Sequence, residues 1–388
     1  MQGNFSDRIS DVPRSFIREI LKITVRPEII SFAGGLPNRE LFPLAEIQQA
    51  TQFVLENDLA ESLQYSTSEG YLPLREYIAE RYRIRHQLQV SPGEILITNG
   101  SQQGLDLLGK IFVNDGDAVL LEKPAYLGAI QAFSLYRPKF VTVRLTEQGA
   151  DTAELGRVLD EHKPKLFYSV PNFQNPSGIT YETEIRKQVA NLLQGTRTLF
   201  IEDDPYGELR FKGEDKPSFR HFLQENTVLL GSFSKTVVPS FRLGWIVARA
   251  DIMEKLIVAK QAADLHTNFF CQRIMHRYLT TNDVDGHIAK IRAAYGRQRE
   301  AMLTAMQQYF PKEVTYTHPE GGMFVWVTLP EGKAALQVFD QAISKNVAFV
   351  PGDPFYVTKE LQRTLRLNFS CVDEAMIREG IRRLGEIL

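Results

Sequence analysis

Two kinds of hydrophobic pattern divide the chain. Between residues 95 and 248, short apolar runs recur at 95–99, 118–122, 140–145, 166–170, 198–203, 227–232 and 243–248. Most are apolar at successive positions, the pattern of a strand buried on both faces between helix layers. The stretches 102–113, 152–162 and 182–193 repeat apolar residues at helical spacing instead. This alternation predicts an α/β domain with a mostly parallel seven-stranded sheet between helices. The tail differs: a long helical pattern at 283–310, then Gly321-Gly322, a strand at 323–329, a helix from Lys333, strands at 347–350 and 364–369, and a closing helix at 373–388. That order predicts a smaller α+β domain. The expected organisation is an N-terminal segment 1–41 packing on the small domain and over the mouth of the site, a large domain 42–285 and a small domain 286–388.

A chain of 388 residues is long enough for two cores. Its net charge of -2 gives no electrostatic case for nucleic acid or an anionic membrane surface. The basic run at 81–85 fits a solvated helix face. Two cysteines, Cys271 and Cys371, exclude a disulfide framework and an all-cysteine zinc site, and suit a reducing cytosol. The stretch 1–11 lacks the apolar core of a signal peptide, and no apolar run reaches the roughly 18 residues of a membrane span. A cytoplasmic location with no membrane partner is expected.

Polar residues that could carry chemistry gather just past the apolar runs. Gly231-Ser232-Phe233-Ser234-Lys235, with Arg242 shortly after, places two hydroxyls, an amine and a guanidinium where a strand ends. Ser232, Ser234 and Arg242 can converge on a phosphate, and Lys235 can form an imine with an aldehyde cofactor; a plain polar loop has the same composition. At Ile201-Glu202-Asp203-Asp204-Pro205-Tyr206 a buried aspartate, Asp203, can pair with a protonated pyridine nitrogen, and Tyr206 can bond a phenolic oxygen. The competing view, a metal site of three carboxylates, conflicts with the alternation of side chains along a strand, and no metal is expected. Pro171-Asn172-Phe173-Gln174-Asn175-Pro176-Ser177-Gly178 reads as a rigid turn presenting Asn175. Thr98-Asn99-Gly100-Ser101-Gln102 leads from a strand into a helix N-terminus, an anion site with Ser101 as a plausible cap. Tyr126 could stack on a flat cofactor or simply pack. Within 364–369, alternation sets Arg366 apart from Leu365 and Leu367, where it can grip a carboxylate or face solvent.

In this order and spacing the segments resemble fold-type I pyridoxal 5′-phosphate (PLP) enzymes of the aspartate aminotransferase superfamily. Within it the chain is similar to the 2-aminoadipate (LysN-type) and kynurenine/aminoadipate aminotransferases. Leu63-Gln64-Tyr65-Ser66, Gly100-Ser101-Gln102-Gln103, Phe173-Gln174-Asn175-Pro176, Gly231-Ser232-Phe233-Ser234-Lys235 and Ala263-Asp264-Leu265-His266-Thr267 carry the likeness. The resemblance implies that Lys235 holds PLP as a Schiff base and shuttles protons, that Asp203 meets the pyridine nitrogen, and that Asn175 and Tyr206 bond the phenolic oxygen. It implies that Tyr126 stacks on the ring and that Gly100, Ser101, Gln102, Ser232, Ser234 and Arg242 hold the phosphate. Arg366, helped by Asn175, would bind the substrate α-carboxylate, with Gly35 in a loop approaching the substrate. Tyr65 would reach the partner's site in a homodimer with shared active sites. Arg18, in a stretch similar to the family's substrate-covering helix, would meet a distal carboxylate. Gly104 stands where relatives usually carry alanine.

The activity so implied is ping-pong transamination between an amino acid (2-aminoadipate, glutamate, or an aromatic or aliphatic one) and a 2-oxo acid such as 2-oxoglutarate, with a place in lysine biosynthesis. A PLP-dependent lyase or decarboxylase shares the same cofactor shell. A PLP-sensing regulator would need a DNA-binding domain ahead of the enzyme-like region, which starts here by about Arg14.

Overall fold

The computed structural model describes residues 5–10, 12, 20, 26–358 and 362–388. Its strands are β1 (Ile30–Ser31), β2 (Ile95–Asn99), β3 (Ala118–Lys123), β4 (Lys139–Thr146), β5 (Gly149–Ala150), β6 (Leu166–Ser169), β7 (Leu199–Asp203), β8 (Thr227–Ser232), β9 (Leu243–Val247), β10 (Thr315–Tyr316), β11 (Phe324–Thr328), β12 (Val347–Ala348), β13 (Val350–Pro351) and β14 (Thr364–Asn368). The main sheet runs β2-β9-β8-β7-β6-β3-β4-β5. Strands β8, β7, β6, β3 and β4 are mutually parallel, whereas β9 is antiparallel to both its neighbours. All seven expected strands are present. The eighth, β5, is a two-residue return that pairs with Leu145 and Thr146 at the sheet edge, too short to leave a period in the sequence.

Burial explains why these strands form. Leu120, Phe167, Phe200, Ile201, Val228 and Leu230 are all fully buried, each removing enough apolar area to contribute about 2 kcal/mol before entropy is counted. Helix ends follow their caps. Asp151 accepts from Glu154 N at 3.1 Å, and Lys163, at φ 45°, terminates the helix Thr152–His162. Asp283 and Asp373, expected as the first residues of helices, instead cap Val284–Tyr309 and Glu374–Gly385. No helix among the described residues is long and apolar enough to cross a membrane.

A four-stranded antiparallel sheet, β10-β11-β14-β13, forms towards the C-terminus. The single strand expected at 347–350 is broken. Val347 and Ala348 pair in parallel with β1, whereas Val350 and Pro351 pair with β14. Between them Phe349 is fully buried against Phe339 at 5.5 Å, and the chain changes partner there. Through β1 the segment that follows is laid along this sheet: Phe32 N donates to Ala348 O at 2.7 Å and Asn368 N to Phe32 O at 2.8 Å.

Candidate active site

Parallel strands that all end on one side leave their carboxyl ends free to carry a ligand. Here those ends, joined by β14 and the stretch after β1, enclose a cavity of about 230 Å³. It gathers Gly35, Gly100, Ser101, Gln102, Tyr126, Asn175, Asp203, Tyr206, Ser232, Ser234, Lys235, Arg242 and Arg366, and adds Tyr168, Val170 and Pro205. Tyr65 lies outside it, 79% exposed and edge-on to His266 at 5.9 Å. Arg18 lies outside the described residues.

Lys235 follows β8, and its Nζ donates to Gly35 O at 2.7 Å. Burial, aided by the positive charges of Arg366 and Arg242, lowers its pKa to about 8. The uncharged fraction near neutrality, far larger than for an ordinary lysine, makes this amine a nucleophile and a proton acceptor. Asp203 ends β7 and is 2% exposed. Burial raises its carboxyl to about 7, against the Tyr168 hydroxyl that donates to Oδ2 at 2.8 Å. Its Oδ1 is buried without a partner. Such an orphaned oxygen carries a desolvation cost that a ligand N–H removes.

The neighbouring carboxylates do not join it. Glu202 turns away, accepting from Ser218 Oγ at 2.6 Å and Phe219 N at 3.0 Å, and Asp204 accepts from Gly207 N at 2.8 Å. Period-two alternation thus sends adjacent side chains to different surroundings.

Asn175 sits in a turn with a cis bond to Pro176. The turn is held by Gln174, whose Oε1 accepts from Ser177 N at 2.8 Å and whose Nε2 donates to buried Glu122 at 2.9 Å and to Pro124 O at 2.8 Å. Asn175 Oδ1 accepts from Arg366 Nη1 at 2.8 Å, and Arg366 Nη2 donates to Ala33 O at 2.8 Å. Arg366 is 2% exposed, lies over the Phe324 ring at 4.3 Å, and keeps its Nε without a partner. Tyr206 is buried beside them; desolvation pushes its phenol up, partly offset by the Asn175 side chain. Tyr126 is likewise pushed up to about 12 by burial.

Another group of residues lining the cavity suits an anion. Gly100 has φ 73°, and a Cβ there would lie 2.5 Å from Arg242 Nη2. Gly100, not Ser101, is the N-cap of the helix Ser101–Phe112. The backbone needed at that corner excludes a side chain, so Ser101 opens the helix with its first N–H groups free. Gln102 Nε2 is committed to Gly128 O at 2.8 Å. Ser232 Oγ accepts from Ser234 N at 3.1 Å, and Ser234 Oγ is buried without a partner. Orphaned Asp203 Oδ1 and, in the same cavity, orphaned Ser234 Oγ with Arg242 fit a ligand carrying a ring N–H and a phosphate.

Tyr168 and Cys371 are site neighbours that the sequence reasoning did not single out. Tyr168 brings one of the few polar groups of β6, a hydroxyl amid Leu166 and Phe167, which was the available signal. Cys371 donates to Leu36 O at 2.9 Å and lies close enough to perturb Lys235 electrostatically; nothing in the local pattern marked it.

The model of the family described as aminotransferase class I and II matches residues 29–384. The aromatic-amino-acid aminotransferase 1 of Thermococcus litoralis is 43% identical over 99% of this chain and 94% of its own length. Kynurenine aminotransferase of Pyrococcus horikoshii, solved with PMP, superimposes with a TM-score of 0.95 at 41% identity over 99% and 96% of the two chains. The α-aminoadipate aminotransferase of Thermus thermophilus, solved with N-(5′-phosphopyridoxyl)-L-leucine, does so with a TM-score of 0.92 at 42% identity over 99% and 97%.

Proposed function

The chain belongs to the class I and II aminotransferases and is a PLP enzyme of fold type I, and from that premise we propose that it exchanges the amino group of 2-aminoadipate, glutamate or an aromatic or aliphatic amino acid with a 2-oxo acid such as 2-oxoglutarate, in ping-pong order. The observation that carries this reading is the burial of an amine of depressed pKa, Lys235, in one cavity with an orphaned carboxylate, Asp203, and an arginine, Arg366.

PLP, when bound, supplies an aldehyde that condenses with amines and a conjugated ring that takes up the electron pair left by the departing α-proton. The protein's part is to orient, to exclude water and to move the proton. Lys235 Nζ is the attachment point and, once released, takes the α-proton and returns it. Asp203, through its unpartnered Oδ1, would meet the pyridine nitrogen. Asn175 and Tyr206 would bond the phenolic oxygen, and Tyr126 would pack on the ring. Gly100, Ser101 and Gln102 through the helix N-terminus, with Ser232, Ser234 and Arg242, take the phosphate. Arg366 would bind the α-carboxylate beside Asn175, with Gly35 in a loop that approaches the substrate. Arg18 is assigned to a distal carboxylate, and Tyr65 to the partner's site in a homodimer.

Absorption spectroscopy of the purified protein with PLP tests this. A Schiff-base band should form, be absent in Lys235→Ala, be lost with 2-aminoadipate and return with 2-oxoglutarate. In the same assay Arg18→Ala should raise KM for 2-aminoadipate and glutamate far more than for leucine; equal effects would remove the distal-carboxylate role. Failure to form a band with excess PLP, or release of ammonia or carbon dioxide in place of oxo-acid exchange, would overturn the reading.

A further inference from the structure

The segment Ala263-Asp264-Leu265-His266-Thr267 contributes no residue to the cavity, yet it ties down the turn that opens the helix N-terminus. Lys260, on the helix Ala250–Ala263, has a fully buried side chain. Its ammonium donates to Asp264 Oδ1 at 2.7 Å and Oδ2 at 2.8 Å, to Gln103 Oε1 at 2.8 Å and to Thr267 Oγ1 at 2.9 Å. Asp264 Oδ2 also accepts from Asn99 Nδ2 at 2.5 Å and from Gln103 Nε2 at 2.8 Å. Gln103 Oε1 in turn accepts from Asn99 N at 2.9 Å. The two residues that bracket Gly100-Ser101-Gln102 are therefore fixed by one carboxylate and one buried ammonium from more than 150 positions away. On its other side the same segment reaches β2, where Thr267 Oγ1 donates to Ile97 O at 3.1 Å.

A helix N-terminus binds an anion well only if its N–H groups already point at it, because reorganisation on binding is subtracted from the affinity. Between β2 and the helix there is only Gly100, whose own conformational freedom would let the turn wander. A burial-satisfied ammonium is an expensive fixture, several hydrogen bonds against a large desolvation cost. Its placement beside a glycine corner is accounted for if the corner has to be rigid.

We propose that Asp264, with Lys260, is a positioning residue that pre-sets the Gly100–Gln102 turn for the cofactor phosphate. This rests on the assignment of that turn to the phosphate. It predicts a selective defect: Asp264→Asn weakens affinity for PLP and leaves affinity for pyridoxal, which has no phosphate, nearly untouched.

The experiment is a titration of cofactor-free protein with PLP and, separately, with pyridoxal, followed by the Lys235 absorption band. Wild type should prefer PLP. Asp264→Asn should raise the Kd for PLP by about tenfold or more, the scale of a lost charge-assisted hydrogen bond, with the pyridoxal Kd within about twofold. The double variant Lys260→Met with Asp264→Asn removes the bare buried ammonium and should show the same selective loss if the single variant folds poorly. Equal weakening of both ligands, or of neither, overturns the inference. A wild type that forms no band with either ligand would instead defeat the PLP reading on which it rests.

Discussion

Two titrating groups set the chemistry at the scale of single residues. Lys235, at about 8, should capture the cofactor aldehyde faster as pH rises through that value, because only the uncharged amine attacks. Asp203 works in the opposite sense. Burial lifts its carboxyl from the ordinary 3.8 to about 7, so the folded, cofactor-free protein favours the protonated form below that pH. Its contribution to stability is complete below about 3.8 and is lost as pH rises to about 7. Asp203→Asn cannot ionise and can still accept from Tyr168. The cofactor-free variant should therefore melt above cofactor-free wild type at pH 8, with the gap closing towards pH 4, and with PLP added the variant should show most of its activity lost. Parallel melting curves across that range would show that Asp203 is not held neutral. The carboxylate was legible in the sequence as the acidic end of an apolar strand. The Tyr168 hydroxyl that orients it was not, because the contact depends on which strand lies beside β7, information that only the sheet order supplies.

At the scale of elements, the seven strands and three helices were readable because burial on both faces and helical spacing leave different periods. Lost from view were β5 and β10, two residues each, and the change of partner between β12 and β13, and also the helices Leu44–Asn57, Leu72–His86, Leu127–Ser134, Ala250–Ala263 and Phe269–Thr281. The sites at strand ends could be named because glycine, proline and polar residues interrupt apolar runs there. Gly100 shows what such an interruption costs to alter. Its φ of 73° is strained for any side chain, and a methyl would sit 2.5 Å from Arg242 Nη2. Gly100→Ala should cost about 1–3 kcal/mol in stability and should weaken PLP affinity, measured by thermal melting and by the same titration. A variant that melts lower but binds PLP normally would separate the turn from the phosphate. Gly104 is a contrasting case: a methyl would lie 3.0 Å from Leu230 Cδ2, so alanine here meets the sheet before it gains from helix propensity.

The whole molecule brings distant stretches to one place. Lys235 meets Gly35 across 200 positions, and Arg366 meets Ala33 across 333; neither meeting is written in local pattern, since both acceptors are backbone carbonyls. Tyr65 points outward, 79% exposed, and the proposed homodimer would give it a site to enter. Light scattering of the purified protein should return about twice the single-chain mass, and a monomer that transaminates would remove Tyr65 from the chemistry. The arginine has a last consequence. Its guanidinium gives two of its five N–H donors to Asn175 and Ala33, and its Nε stays buried and unpaired. On the proposed assignment, an amine that has lost its carboxylate leaves the donors of Arg366 that face the substrate stranded, whereas an amino acid relieves them. The enzyme would then reject decarboxylated look-alikes by the discomfort of its own empty donors, with no wall needed to keep them out.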